Sequence, residues 1–321
     1  MMKSLELYKY LICVFLLQTS QPICEKFGRI ELCTEKKAMA EVENALLNII
    51  GMNDLKLQLR NWAKVMLLNE KRRALGHNLG ARKLPHMAFL GNPGTGKTMV
   101  ARILGKLLHM VGILPTDRVT EVQRTDLVGE YIGQTGPKTR AKINEAEGGI
   151  LFVDEAYRLV PPQGVGCHQD YGKEALEEIM SVMDSGKVVV IFAGYAEPIK
   201  SVIISNEGFQ RRVTKNFTFA NYDPMDLAQI VHVKMTKQDA DSPFYGFKLH
   251  PSCSVEAIRE VIERETTEEL RNKMNGGLVE LMLVNAQEKL DLRLDFDTVD
   301  SNELVTITME DLENGLRSLV Q

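Results

Sequence analysis

The 321-residue chain is 44% hydrophobic and 26% charged, the balance of an ordinary globular protein long enough for one large domain and a smaller one. A formal charge of −4 leaves no broad basic footprint, and one Trp with eight Tyr gives no stacking platform, so nucleic acid is not an expected partner. Five cysteines, none in a CxxC pair, give no support for zinc or dithiol redox chemistry.

Residues 1–37 are atypical. Leu11-Ile-Cys-Val-Phe-Leu-Leu17 is apolar but shorter than the roughly 20 residues that a bilayer span needs, so no stable membrane span is expected. The run resembles the apolar stretch of a signal peptide. Glu6 nevertheless lies in the would-be basic region, and Thr19-Ser20-Gln21-Pro22 is a poor cleavage site. Glu6, Glu25, Glu31 and Glu35 argue equally against a transit peptide. A cytoplasmic or nuclear protein is the expectation, with secretion the weaker alternative. The sequon at Asn216-Phe217-Thr218 falls on a predicted strand, where a glycan would obstruct folding.

From Ala38 to Leu79 the pattern predicts two helices broken at Ile49-Ile50-Gly51, the second burying Leu55, Leu59, Trp62 and Met66. His86 to Leu90 is a predicted strand, Thr98 to Val111 a helix, and Val119 to Gln123 and Gly149 to Val153 strands with helix between them. Pro161 to Gly166 marks an exposed loop. Tyr171 to Met183 is a predicted helix, Val188 to Ala193 a buried strand rich in β-branched residues, and Phe217-Thr218-Phe219 a last short strand. Strands alternating with helices predict an α/β fold, a doubly wound parallel sheet covered on both faces. From Asp223, which caps a helix with Pro224 at its first position, the chain turns mostly helical. Leu304-Val-Thr-Ile307 is a candidate small strand, and Thr308 with Asp311 begins a last helix. The expected division is 1–37, an α/β core over 38–222 and a helical lid over 223–321.

Gly91-Asn92-Pro93-Gly94-Thr95-Gly96-Lys97-Thr98 fits G-x-x-x-x-G-K-[ST], with a strand before it and a helix after it. The glycines let backbone N–H groups turn in on phosphates at a helix N-terminus, where the dipole also favours negative charge. Lys97 is expected to neutralise the outer phosphates and Thr98 to ligate Mg²⁺, with Met99 completing the contact segment. Ile150-Leu-Phe-Val-Asp154-Glu155 then delivers Asp154 towards the metal at the end of a buried strand, leaving Glu155 as general base for the attacking water. This pairing of Walker A and Walker B elements indicates ATP hydrolysis with Mg²⁺. A GTPase would need N-K-x-D after a strand; Asn272-Lys-Met-Asn275 lacks the Asp, and Thr236-Lys-Gln-Asp239 falls at a helix end.

Two further assignments stay open on the residues alone. Tyr195, after the strand ending at Ala193, either positions water or only packs. Arg211 and Arg212 end a helix at a surface, where they serve either as fingers for a neighbouring subunit's nucleotide or as plain surface ion pairs.

Thr120 to Gly129, Gly148 to Tyr157 and Ser205 to Phe209 carry a resemblance to AAA-plus proteins of the CbxX/CfqX type, a group that includes red-type Rubisco activases and SpoVK-like sporulation proteins. The likeness runs from about Ala38 to Leu319 and is nearest to plant proteins with ankyrin repeats ahead of such a domain. It implies a homo-oligomer, a hexamer, that remodels a protein partner threaded through its pore. It places Tyr131-Ile132-Gly133 at the pore loop, Ile50 and Gly51 at adenine, Tyr195 at the first sensor and Arg212, with Arg211 beside it, at the arginine finger. Two alternatives are a Rubisco activase proper and an ATP-gated scaffold with weak turnover.

One departure from the family pattern bears on the lid. Where the family has N-[AG]-R-x-x-R, this chain has Asn275-Gly276-Gly277-Leu278-Val279-Glu280, with Gly277 and Glu280 at the arginine positions. Arg293 is a candidate substitute from outside the motif, and coupling of hydrolysis to lid motion is in question.

Overall fold

The computed structural model describes residues 38–319 apart from 81–82, 161–170, 205, 238–239 and 296–299. The expectations on the first 37 residues and on the loop from Pro161 to Gly166 lie outside the described residues.

Five parallel strands make the central sheet: β1 (His86–Leu90), β2 (Val119–Val122), β3 (Ile150–Val153), β4 (Val189–Gly194) and β5 (Val213–Thr218), in the order β2-β3-β4-β1-β5. The strand side chains sort by parity onto two faces, as the two-residue period demands. Met87, Phe89, Ile150, Phe152, Val189, Ile191 and Ala193 join one apolar cluster. Ala88, Leu90, Leu151, Val153, Val190 and Phe192 join the other.

Covering the first face are the helix over residues 38–47 (α1), α2 (Asn53–Ala74) and α3 (Lys97–Met110). Phe89 centres an aromatic group there, its ring 5.8 Å from Phe217 and 5.0 Å from Phe219. The second face is covered by α4 (Arg124–Leu127), α5 (Thr135–Glu145), α6 (Gly172–Met183), α7 (Ala196–Ile204) and α8 (Glu207–Arg212). The doubly wound expectation therefore holds. Burial of both faces explains why β3 and β4 read as unbroken apolar runs.

The edge strand differs from its expected span. β5 begins at Val213, and Phe219 lies beyond it. Only Val213 and Phe217 of this strand are buried, while Thr214, Lys215 and Asn216 are exposed, so its polar residues read as loop. An irregularity where Met87 pairs with Lys215 and His86 with Val213 sets Thr214 aside.

A third cluster runs from Tyr222 to Leu316 and belongs to the helical lid. It is built from α9 (Pro224–Thr236), α10 (Val255–Glu265), α11 (Glu268–Met274), α12 (Gly276–Arg293) and α13 (Met309–Arg317), with a two-strand ladder of β6 (Lys248–Leu249) and β7 (Thr306–Ile307). Asp223 caps α9 as expected, and Asp226 returns the bond in a full capping box. Thr308 and Asp311 form the same device on α13. Among the described residues no helix is long and apolar enough to cross a membrane.

His86 is a buried polar residue at the start of β1. Its Nδ1 accepts from Val190 N–H at 3.0 Å, which assigns the proton to Nε2, donating to the Met183 carbonyl at 2.8 Å. Burial pushes its pKa below the ordinary value, against the opposing pull of the Met183 carbonyl and Asp184. The folded state therefore resists a proton that the unfolded chain takes up near pH 6.5. The stability contributed by neutral His86 is full above that pH and is lost as pH falls towards the depressed folded value. Melting temperature should drop between pH 7.5 and 5.5, and His86→Gln should start lower but fall less over that window. An equal slope in both proteins would remove His86 as the cause.

Candidate active site

β1 sits where the connections change face: α3, which follows β1, packs on the first side, and α7, which follows β4, on the second. The crevice at the carboxyl ends of such strands is where open α/β sheets bind ligands. A cavity of about 570 Å³ opens there, within the range of small-molecule sites. Gly91, Pro93, Gly94, Gly96, Lys97, Thr98 and Met99 line it, and so do Ile50, Asp154, Glu155 and Tyr195.

The loop after β1 is shaped by its glycines. Gly94 and Gly96 have φ of 74° and 81°, the left-handed region that glycine enters freely. A Cβ on Gly94 would meet the Met274 carbonyl of the lid at 2.4 Å, so only glycine fits between the two parts. α3 starts directly after Gly96 with no acidic residue in its first turn, leaving the positive end of its dipole uncompensated towards the cavity.

Lys97 is nearly buried, and its ammonium donates to the carbonyls of Gly91 at 3.0 Å and Asn92 at 2.7 Å. Two of its three protons are thus engaged. Desolvation lowers its pKa, opposed by Asp154 and Glu155. Asp154 is pushed up, chiefly by burial, while the Glu155 N–H donates to its Oδ1 at 3.0 Å. Such a group gains most from a cation beside it. Thr98 lines the cavity with Asp154, and among the described residues no group of three or more His, Cys, Asp or Glu is placed to hold a metal ion. One hydroxyl and one carboxylate suit a Mg²⁺ that arrives with phosphates rather than a resident metal cage.

Glu155 stands at the end of β3 with φ 48° and ψ 39°, a left-handed conformation costing a non-glycine residue roughly 1–2 kcal/mol. Its Oε1 accepts from the Tyr157 hydroxyl and its Oε2 pairs with Arg158, both at 3.0 Å. The Tyr157 ring in turn packs 5.6 Å from that of Tyr195. This aromatic pair forms one wall of the cavity and holds the carboxylate at its rim.

A family model described as the ATPase family associated with various cellular activities matches residues 87–217, the region holding all of these groups except Ile50. Protein CfxQ of Xanthobacter flavus is 36% identical over 288 residues, covering 83% of this chain and 88% of its own length. The chain belongs to the AAA-plus ATPases of the CbxX/CfqX family. Two other relatives are matched over a smaller share of their own length. The ESX-3 secretion system protein EccA3 of Mycobacterium tuberculosis is 33% identical over 89% of this chain and 47% of its own length. A chloroplastic ribulose bisphosphate carboxylase/oxygenase activase of Cyanidioschyzon merolae is 38% identical over 59% of this chain and 64% of its own. Residues 221–320 match a second model, described only as a domain of unknown function.

Not every residue singled out in the sequence faces the ATPase cavity. Thr95 is buried with its hydroxyl donating to Asn92 O, and the Asn92 amide donates to Asn221 and to the Asn272 carbonyl. Gly51, at φ 59°, lies against the Asp226 carboxylate, while its neighbour Ile50 reaches the cavity. Arg211 and Arg212 do not line it, nor do Tyr131, Ile132 and Gly133. Arg293 is committed elsewhere: its Nε donates to the buried Asp311 at 2.9 Å and its Nη2 to Thr306 O. It cannot serve as the substitute lid cation.

Other cavity residues carry no motif of their own. Gln123 directly follows β2, beside the strand that Asp154 follows, and that position at a strand's carboxyl end was the available signal. Tyr222 spans core and lid, its hydroxyl donating to Thr95 O at 3.3 Å and its pKa pushed up to about 12 by burial. Asn275 is fully buried at φ 49°; its Nδ2 donates to Pro93 O at 3.2 Å, and the next residue's N–H donates to Gly94 O at 3.0 Å. The lid is thereby hydrogen-bonded to the phosphate loop itself.

Proposed function

We propose that this ATPase assembles into a ring, a hexamer, in which residues 38–222 act as the hydrolytic core and residues 223–321 as the lid, and that the ring remodels a protein partner drawn through its pore. The glycine loop with Lys97 holds the ATP phosphates. Thr98 and Asp154 hold Mg²⁺, which supplies charge neutralisation on the transferred phosphoryl group. Glu155 orients and deprotonates the attacking water, Tyr195 helps to place it, and Arg212 with Arg211 reaches a neighbouring subunit's nucleotide. Ile50 and Gly51 contact adenine.

The observation that carries the threading reading is the loop at Tyr131-Ile132-Gly133. Tyr131 and Ile132 are 69% and 75% exposed, an aromatic and an aliphatic side chain side by side on a tight turn. The turn's base is fixed: Gly129 N–H donates to Thr135 Oγ1 at 3.1 Å, and Lys138 ties down the Val128 carbonyl. An exposed apolar tip on a braced loop is suited to gripping an extended polypeptide. The names of the relatives also support a partner-directed role, since one is an activase of another enzyme.

The ATP-gated scaffold remains a second reading because Glu155 already has two partners, Tyr157 and Arg158. One experiment separates the two. Purified protein should hydrolyse ATP only with Mg²⁺, and Tyr131→Ala should keep that rate within about twofold while losing all measurable unfolding of a bound partner. Persisting remodelling in Tyr131→Ala would reject threading, and negligible turnover in the unmodified protein would favour the scaffold.

A further inference from the structure

The lid brings basic groups to the cavity by an unexpected route. Among the described residues, its lining holds three lysines, Lys97, Lys234 and Lys237, and no arginine. Lys97 belongs to the core, whereas Lys234 and Lys237 stand on the lid helix α9 or at its end. Ile230, Val233, Lys234 and Lys237 follow the i, i+3, i+4, i+7 spacing of one helix face, and all four line the cavity. α9 therefore presents an apolar patch flanked by ammonium groups to whatever the cavity binds.

Of these two, Lys234 is the one tied to a second lid helix. Its Nζ lies 3.5 Å from Oε2 of Glu280, which sits near the start of α12 and lines the same cavity. The start of α12 is bonded to the phosphate loop through Gly276 N–H and Gly94 O. Glu280 thus links Lys234 on α9 to the helix whose first turn touches the loop. Apart from its chain neighbours and the backbone of its own helix, nothing lies within 4 Å of where a Cβ on Gly277 would stand, so space remains beside that turn.

The pairing itself is loose and partly solvated, with the Lys234 side chain 36% exposed and that of Glu280 57%. An ammonium has three donors, and one carboxylate oxygen at 3.5 Å leaves the others for a stronger anion. Resting on the ATPase reading, we propose that Lys234 is the lid's phosphate-contacting cation. In this arrangement Glu280 positions it, and the outer phosphates of a nucleoside triphosphate receive its remaining donors. The contact falls on charge that a diphosphate lacks, so Lys234 discriminates triphosphate from diphosphate and draws α9 and α12 onto the nucleotide together. Glu280, which alone would repel the phosphates, instead becomes part of the device.

The test is titration calorimetry with Mg²⁺ of ADP and of a non-hydrolysable ATP analogue, on the unmodified protein and three variants. Lys234→Met keeps the packing of the side-chain stem and should weaken the analogue by about tenfold, the loss of one charge-assisted hydrogen bond, with ADP changed less than threefold. Lys234→Arg should retain most of the preference, which a merely structural effect of replacing Lys234 would not predict, and Lys237→Met should leave the ratio intact. An unchanged ratio in Lys234→Met, or the loss appearing in Lys237→Met instead, would overturn the assignment. If the unmodified protein binds neither nucleotide, the ATPase reading of the cavity fails; if it binds both and Lys234→Met still discriminates, only the role of Lys234 fails.

Discussion

Glu155→Gln is expected to bind ATP within a few-fold of the unmodified protein and to turn it over about 10²–10⁴ times more slowly, the usual contribution of a positioned general base. The substitution is close to isosteric. The amide oxygen of Gln can still accept from Tyr157, so only the pairing with Arg158 is lost. That pair is half in solvent, with the Arg158 side chain 57% exposed, and such contacts contribute about 0–1 kcal/mol. Folding should therefore be nearly unaffected and the defect confined to the chemical step. Phosphate release under single-turnover conditions, beside a nucleotide-binding isotherm, reads both halves. Turnover that survives in Glu155→Gln would move the base elsewhere on the cavity wall, and a lost isotherm would make Glu155 a binding residue.

How much of this was legible in the sequence depends on where each signal is stored. The loop after β1 and the end of β3 are local: their geometry is set by glycines and by a buried strand, and both could be read from a dozen residues. The same holds for the caps at Asp223 and Thr308, where the bonding partners lie three residues apart. β5 was shortened in the reading because an edge strand exposes its polar residues, and Thr214 to Asn216 carry no apolar alternation. The lid's share of the cavity was illegible for a different reason. Asn275 reaches Pro93 across 182 positions, and Lys234 meets Glu280 across 46, contacts that no periodicity encodes. The residue expected to substitute for the lid arginine shows the limit well. Arg293 looked available by proximity along the chain, but the fold spends it on Asp311, while Lys234, which no motif marks, stands in the cavity wall.

Arg212→Ala is expected to lower turnover by about 10³–10⁵ with ATP affinity nearly unchanged, the scale of an arginine finger. The side chain does not line the cavity. Its Nε donates to Asp184 Oδ2 at 2.9 Å and its Nη1 to Gly208 O at 3.1 Å, at the junction of α6 and α8. Asp184 is held below the ordinary carboxylate range by that guanidinium, and its side chain is 68% exposed, so losing the pair leaves a solvated carboxylate and a folded protein. Arg211 is 80% exposed and only loosely paired with Glu207 at 3.5 Å, so Arg211→Ala serves as the comparison for which of the two reaches the neighbour. Because a finger acts on the adjacent subunit, two inactive proteins should repair one another. Mixed in equal amounts, Arg212→Ala and Glu155→Gln subunits form junctions in which an intact Glu155 on one side faces an intact Arg212 on the other, and activity should return in part. If co-assembly is verified by crosslinking and the mixture stays inactive, Arg212 acts within its own subunit, through Asp184, and the finger assignment is lost. Recovery of activity would instead require that each hydrolytic site be completed by the next copy of the chain.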